Sequence, residues 1–199
     1  MFLAEAIEPD LNIADYAIGY PIVDYNGRYV RLPAPYTLFD SLIPQKANTL
    51  TDADSELRLK TNFCNFIYSN KYSHPRRDEL LYVISRYKQV DSLGKHLRNK
   101  TISDPGMARS FQLKRPYKFS IAAENASFEG YTSEKIWTSL NAHTVPVYFG
   151  NPLIETEINP ECFINANNIS DDELIERIKE IDENDELYKS MIMQPWQTP

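Results

Sequence analysis

Between residues 117 and 152 the chain reads YKFSIAAENASFEGYTSEKIWTSLNAHTVPVYFGNP, and its polar residues gather in one short stretch. An apolar run gives way to a polar loop, and a helical pattern then opens at 133–135. Asn125, Tyr131, Ser133, Glu134 and Lys135 fall where the loops of an α/β sheet hold a phosphate-bearing ligand. The first turn of a helix offers unpaired N–H groups and the positive end of its dipole. A cation there is disfavoured by about 0.3–1 kcal/mol. Lys135 therefore either faces an anion or is neutralised by Glu134 on the surface. Arg76 and Arg77 open a second helical pattern after an apolar run that ends in Ser69 and Asn70. An arginine can hold phosphate through two parallel hydrogen bonds, but its type alone favours a solvated helix start. Tyr131 can stack on a base or sugar, or simply pack beside Gly130. Asn125 can satisfy loop backbone or bind a hydroxyl. GxGxxG and Walker A patterns are both missing, so this is no ordinary dinucleotide or P-loop site.

These residues need a scaffold to converge, and the pattern around them supplies one. Strands are predicted at 62–68, 89–91, 117–123, 145–149 and 163–165, and helices at 77–86, 133–142 and 171–181. Alternation of nearly all-apolar strands with helices points to an α/β fold with a parallel sheet covered on both faces. Residues 1–40 are rich in aromatic and apolar types, with strand-like pieces such as YAIGYPIVDY and RYVRLP. Residues 48–59 are polar and charged and read as a linker or surface loop.

The 199 residues suffice for one domain, or one domain and part of another. The formal charge of −7 looks unfavourable for nucleic acid. Residues 170–186 carry nine carboxylates against Arg177 and Lys179, an excess equal to the whole imbalance. The remainder is neutral, so a local basic pocket is compatible with the composition. Cys64 and Cys162 read as buried free thiols. His74, His96 and His143 show no metal-ligand spacing. No apolar run reaches the ~18 residues of a membrane span, and the acidic N-terminus is unlike a signal peptide.

The runs YKFSIAAEN, GYTSEK, HTVPVYFGNP and NPECFINANN, in that order, resemble the donor-binding domain of the α-1,3-fucosyltransferases, glycosyltransferase family 10. Upstream, FCNFIYSN, Arg77 and VDSLGK match a further segment of that family. Ala123 stands where the family has an aromatic, Ser133 where it has threonine, and Leu93 where it often has glycine. The resemblance implies a GT-B architecture of two Rossmann-like domains. It implies GDP-β-L-fucose as donor, inversion at the anomeric carbon, and an N-acetylglucosamine hydroxyl of an N-acetyllactosamine-like oligosaccharide as acceptor. Arg77 and Lys135 would hold the diphosphate, while Asn125, Tyr131 and Glu134 would contact the nucleotide sugar. No cofactor is required, and a divalent cation is allowed but not indicated. Nucleic acid is not an expected partner. Relatives work in the Golgi or, in bacteria and viruses, in the cytoplasm or at the membrane periphery.

Aligned on Asp15–Gly19, the resemblance puts Glu5 on the family's general base, with Glu8 as the rival carboxylate. Residues 1–45 would then be the end of an acceptor-side domain, 46–60 a linker and 61–199 the donor domain. Most of the acceptor-side domain, and a terminal helix that crosses back to it, are expected to be missing from this sequence. The uncovered first strands would then be prone to association.

Overall fold

The computed structural model describes residues 9–32, 45, 47–102 and 110–198. Its centre is a five-stranded sheet of β3 (Asn62–Phe66), β4 (Val90–Ser92), β5 (Tyr117–Ala123), β6 (Val145–Phe149) and β7 (Ile164–Asn165). Every pairing in it is parallel, and the order is β4-β3-β5-β6-β7. From β3 the chain crosses outward to β4 by way of α2 (Pro75–Ser85). It then returns past β3, through α3 (Ser110–Lys114), to β5, and from there it moves outward the other way. The direction of winding therefore reverses between β3 and β5. Loops diverge at such a point and leave a crevice at the carboxyl ends of the strands.

Both faces of the sheet are covered, which is why its strands read as continuous apolar runs. Phe119, Ile121 and Ala123 of β5, with Val145, Val147 and Phe149 of β6, point to one face. There they meet α2, α5 (Asp171–Glu183) and α6 (Asp185–Met193). The alternate residues Ala122 and Tyr148 face the other way, against Ile136, Trp137 and Leu140 of α4 (Glu134–Asn141). A separate ribbon of two parallel strands, β1 (Ala17–Gly19) and β2 (Tyr29–Arg31), precedes this unit. Arg31 ties it down by donating to Gly130 O at 3.0 Å and pairing with Glu157.

Residues 48–59 are not the plain loop that their polarity suggests. They contain α1 (Ala53–Arg58), started by Asp52, whose carboxylate accepts from the Ser55 N–H at 2.9 Å. Glu56 of this helix is buried and gripped by Lys60 at 2.9 Å and Arg115 at 2.8 Å. A charged composition here marks a buried ion cluster rather than a solvated linker. The acidic stretch does form solvated surface, with Leu174, Ile178 and Ile181 of α5 turned inward. Cys64 and Cys162 are buried and free. One close approach depends on glycine: a Cβ at Gly94, after β4, would lie 1.9 Å from Tyr68 O, after β3.

Candidate anion site at the strand ends

The crevice at the reversal point is a cavity of about 280 Å³. Residues 67–70 from the end of β3 and Asn125 from the end of β5 form two walls, while Arg77 of α2, Lys114 of α3 and Glu134, Lys135 and Thr138 of α4 complete it. Four of the six site residues expected from the sequence, Arg77, Asn125, Glu134 and Lys135, are therefore brought together by three different segments of the fold.

The start of α4 is built around a residue that the sequence reading passed over. Ser133 is the N-cap, yet its hydroxyl makes no capping bond to the helix. It donates instead to Glu124 Oε2 at 2.6 Å, and the Ser133 N–H donates to Oε1 at 2.8 Å. Glu124 is wholly buried, so its carboxylate does the work of a cap at the positive end of the helix. Lys135 then donates to Ser133 Oγ at 2.9 Å and lies 3.2 Å from Glu124 and 3.6 Å from Glu134. Burial opposes its charge, but these two carboxylates outweigh burial and hold the ammonium above the ordinary lysine range. Burial raises the pKa of Glu124, against the pull of Lys135. Burial also acts upward on Glu134, but Lys135 and the hydrogen bonds around it carry that carboxyl below its usual value. Room for Glu124 depends on Gly150, where a Cβ would fall 2.4 Å from the Glu124 Cγ.

Arg77 is not the solvated helix start that its residue type favours. Its side chain is fully buried, with the guanidinium 4.6 Å over the Tyr68 ring. It donates to Asn70 O at 2.6 Å and to Asn125 Oδ1 at 3.3 Å, and pairs with Asp78 at 3.3 Å. Asp78 is in turn held by His96 Nε2 at 2.7 Å. Three of the five guanidinium N–H groups are thus spent on positioning among the described residues, and two remain for a ligand. Arg76 is structural: it pairs with Asp171 at 2.6 Å and joins α2 to α5.

Tyr131 departs from expectation. Its ring is buried, stacked on Phe128 at 4.8 Å and set edge-on to Tyr20 at 5.5 Å. It packs in the core beneath the loop and does not line the cavity, so stacking on a base or sugar is not what this arrangement offers. Glu5 and Glu8 lie outside the described residues. No group of three His, Cys, Asp or Glu side chains that could hold a metal ion occurs among the described residues. Among those residues, no helix is long and apolar enough to cross a membrane.

The sequence also missed Lys114, Asp78 and His96. Glu124 carried a signal, being a carboxylate placed directly after seven strand residues. Lys114 carried none, because the basic run KRPYK around it looks like ordinary solvated surface.

Chemically, the site brings Arg77, Lys114 and Lys135 to one partly enclosed cavity, an arrangement that suits a phosphorylated ligand. The family model described as glycosyltransferase family 10 (fucosyltransferase) C-term matches residues 57–197. The α-(1,3)-fucosyltransferase FucT of Helicobacter pylori is 26% identical over 230 residues, covering 96% of this chain and 45% of that protein. The GDP-fucose protein O-fucosyltransferase 3 of Xenopus tropicalis is 35% identical over 125 residues, covering 58% of this chain and 26% of the relative. A crystal structure of an α1,3-fucosyltransferase with GDP-fucose overlays with a TM-score of 0.78 at 25% identity, over 98% of this chain and 65% of that one. The overlay sets the parallel sheet within an α/β fold of the GT-B type, as the sequence implied. This chain thus spans under half the length of these two curated relatives.

Proposed function

Because the chain belongs to glycosyltransferase family 10, the fucosyltransferases, we propose that its strand-end cavity binds GDP-β-L-fucose and that the protein transfers L-fucose from it. The observation that carries this reading is the meeting of Arg77 and Lys135 in one cavity at the switch point, although they come from different crossovers. In such a transfer an acceptor hydroxyl attacks C1 of the fucose, and the bond from C1 to the diphosphate oxygen breaks. Negative charge then accumulates on the departing GDP. Cations already fixed around it stabilise the transition state more than the ground state. Lys135, held in place by Glu124, and Arg77, held by Asp78 and Asn70, answer that need without reorganising. Asn125 and Glu134 line the same cavity and are assigned contacts to the nucleotide sugar; Tyr131 supports the loop from behind.

Attack from the face opposite the diphosphate inverts the anomeric centre. The proton of the acceptor hydroxyl passes to a general base, assigned by alignment to Glu5. The acceptor is read as an N-acetyllactosamine-like glycan taking fucose in α-1,3 linkage, a reading supported by the named activity of the bacterial relative. A protein hydroxyl as acceptor is the second reading, and the protein O-fucosyltransferase relative favours it. Residues 61–199 are the donor-binding part in this account, and 1–45 belong to the acceptor side.

Incubation with GDP-fucose and N-acetyllactosamine, followed by mass and linkage analysis, tests the reading. The expected product carries one α-1,3-linked fucose. GDP binding without fucosyl transfer to a glycan or a protein acceptor reduces the protein to a nucleotide-sugar-binding module. Equal competition by GDP-mannose points to a different donor.

A further inference from the structure

Lys114 is the one lysine of the cavity that has no carboxylate partner among the described residues. It closes α3, and only 5% of it is exposed. Its ammonium donates to Thr138 Oγ1 at 2.8 Å and to Ser139 Oγ at 2.9 Å, with Lys135 O at 3.3 Å. Arg77 and Lys135, by contrast, both stand against carboxylates. A string of buried polar groups runs away from it through the middle of an otherwise apolar sheet. Ser139 Oγ donates to Ser120 Oγ at 3.1 Å, and Ser120 Oγ to Asn65 Oδ1 at 2.9 Å. Asn65 donates in turn to Phe119 O at 3.1 Å. Asn65, Ser120 and Ser139 are all wholly buried. Polar groups in a sheet centre cost stability unless they are paired, and this string ends on one amine at the cavity wall.

We propose that Lys114 is a third cation of this anion site, and that filling the cavity with a nucleoside diphosphate draws a proton onto its amine. The inference rests on the reading of the cavity as a GDP site. The charged groups around the amine fit it. From α4 it faces Glu134 and Lys135, from the end of β5 Glu124, and across the cavity Arg77 and the Tyr68 phenol. Burial pushes its pKa down to about 7, with Glu134 and Glu124 acting upward and Lys135 downward. The empty site therefore holds a mixture of charged and neutral amine near neutral pH. A diphosphate brought into the same low-dielectric cavity favours the charged form, so ligand binding and proton uptake are linked.

Calorimetric titration of the protein with GDP at pH 8, in two buffers of different ionisation enthalpy, counts the protons taken up. A large fraction of one proton per GDP is expected for the wild type. In Lys114→Met the uptake vanishes and GDP binds about tenfold more weakly, the loss of one medium-range charge interaction. Binding of GDP by the wild type without proton uptake, or uptake that persists in Lys114→Met, overturns the inference and leaves the GDP site standing. No binding of GDP at all overturns the reading of the cavity and this inference with it. Ser139→Ala, which removes one acceptor from the ammonium, shifts half-maximal uptake to lower pH. An unmoved midpoint also overturns the proposal, and this variant serves if Lys114→Met fails to fold.

Discussion

Glu124 and Lys135 meet at the N-terminus of α4 with Ser133 between them, and each depends on the other for being buried. Breaking a buried pair from one side costs more than the pair contributes, because the remaining charge is stranded. Glu124→Ala is expected to lower the unfolding free energy by about 3–5 kcal/mol, read as a drop in the urea midpoint. Lys114 behaves in the opposite sense. Its folded pKa of about 7 lies below the ordinary lysine value of 10.5, so between these the unfolded chain binds more protons. Stability from this group therefore rises with pH across that window and is lowest below it. Lys114→Met should stabilise the protein by about 1–3 kcal/mol at pH 6 and by much less at pH 10. Thermal melts at the two pH values check this, and an equal gain at both would contradict it. At this scale the sequence was a partial guide. Arg77, Asn125, Glu134 and Lys135 line one cavity, and their places after strand ends and at helix starts made that meeting legible, though the roles assigned to them came from the family resemblance. That Phe128 and Tyr20 enclose the Tyr131 ring was not legible, since the sequence left packing and ligand contact open for it.

The elements position these side chains through a close approach of backbone to side chain. The loop after β6 must pass over Glu124, and only a residue without a Cβ, with φ at +153°, does so at Gly150. Gly150→Ala is expected to push Glu124 out of place, costing about 2 kcal/mol or more of stability. GDP binding should weaken with it, since the same carboxylate holds Lys135. Unchanged melting and unchanged GDP affinity would show that the contact is easily relieved. The long elements were legible: β5 and β6 fall where apolar runs of strand length predict them. The short ones were not. Five residues of α3 are too few to show a period, and α1 is built by an ion cluster that composition disguises as a loop. The acidic stretch hid the break between α5 and α6, where Asn184 caps the second helix through the Leu187 N–H at 3.0 Å.

Over the whole molecule, the β1–β2 ribbon joins the sheet-bearing unit through Tyr20, buried against Tyr131, through the Ile22 N–H donating to Glu129 O at 3.3 Å, and through Arg31. Arg31 reaches across to Gly130 O at 3.0 Å and Glu157, and holds Tyr20 O on its own side at 3.0 Å. Arg31→Ala should speed amide exchange in residues 17–31 by about tenfold or more through local opening, while leaving exchange in β5 and β6 unchanged. Uniform acceleration would instead mean that ribbon and sheet unfold together. The two-sided core follows from the alternation of apolar strands with helices, whereas the strand order that creates the reversal point does not. The proposed ligand does not follow from it either, and rests on the order of motifs and the family match.

The claim that unites these scales is that the strand-end cavity binds GDP through Arg77 and Lys135. Titration of the protein with GDP by calorimetry, comparing the wild type with Arg77→Ala and Lys135→Ala, tests it most directly, provided that near-UV circular dichroism shows each variant folded. Each substitution should weaken binding by about tenfold or more, since a charge-assisted hydrogen bond contributes ~1.5–3 kcal/mol. Binding of GDP by both folded variants as tightly as by the wild type would contradict the account.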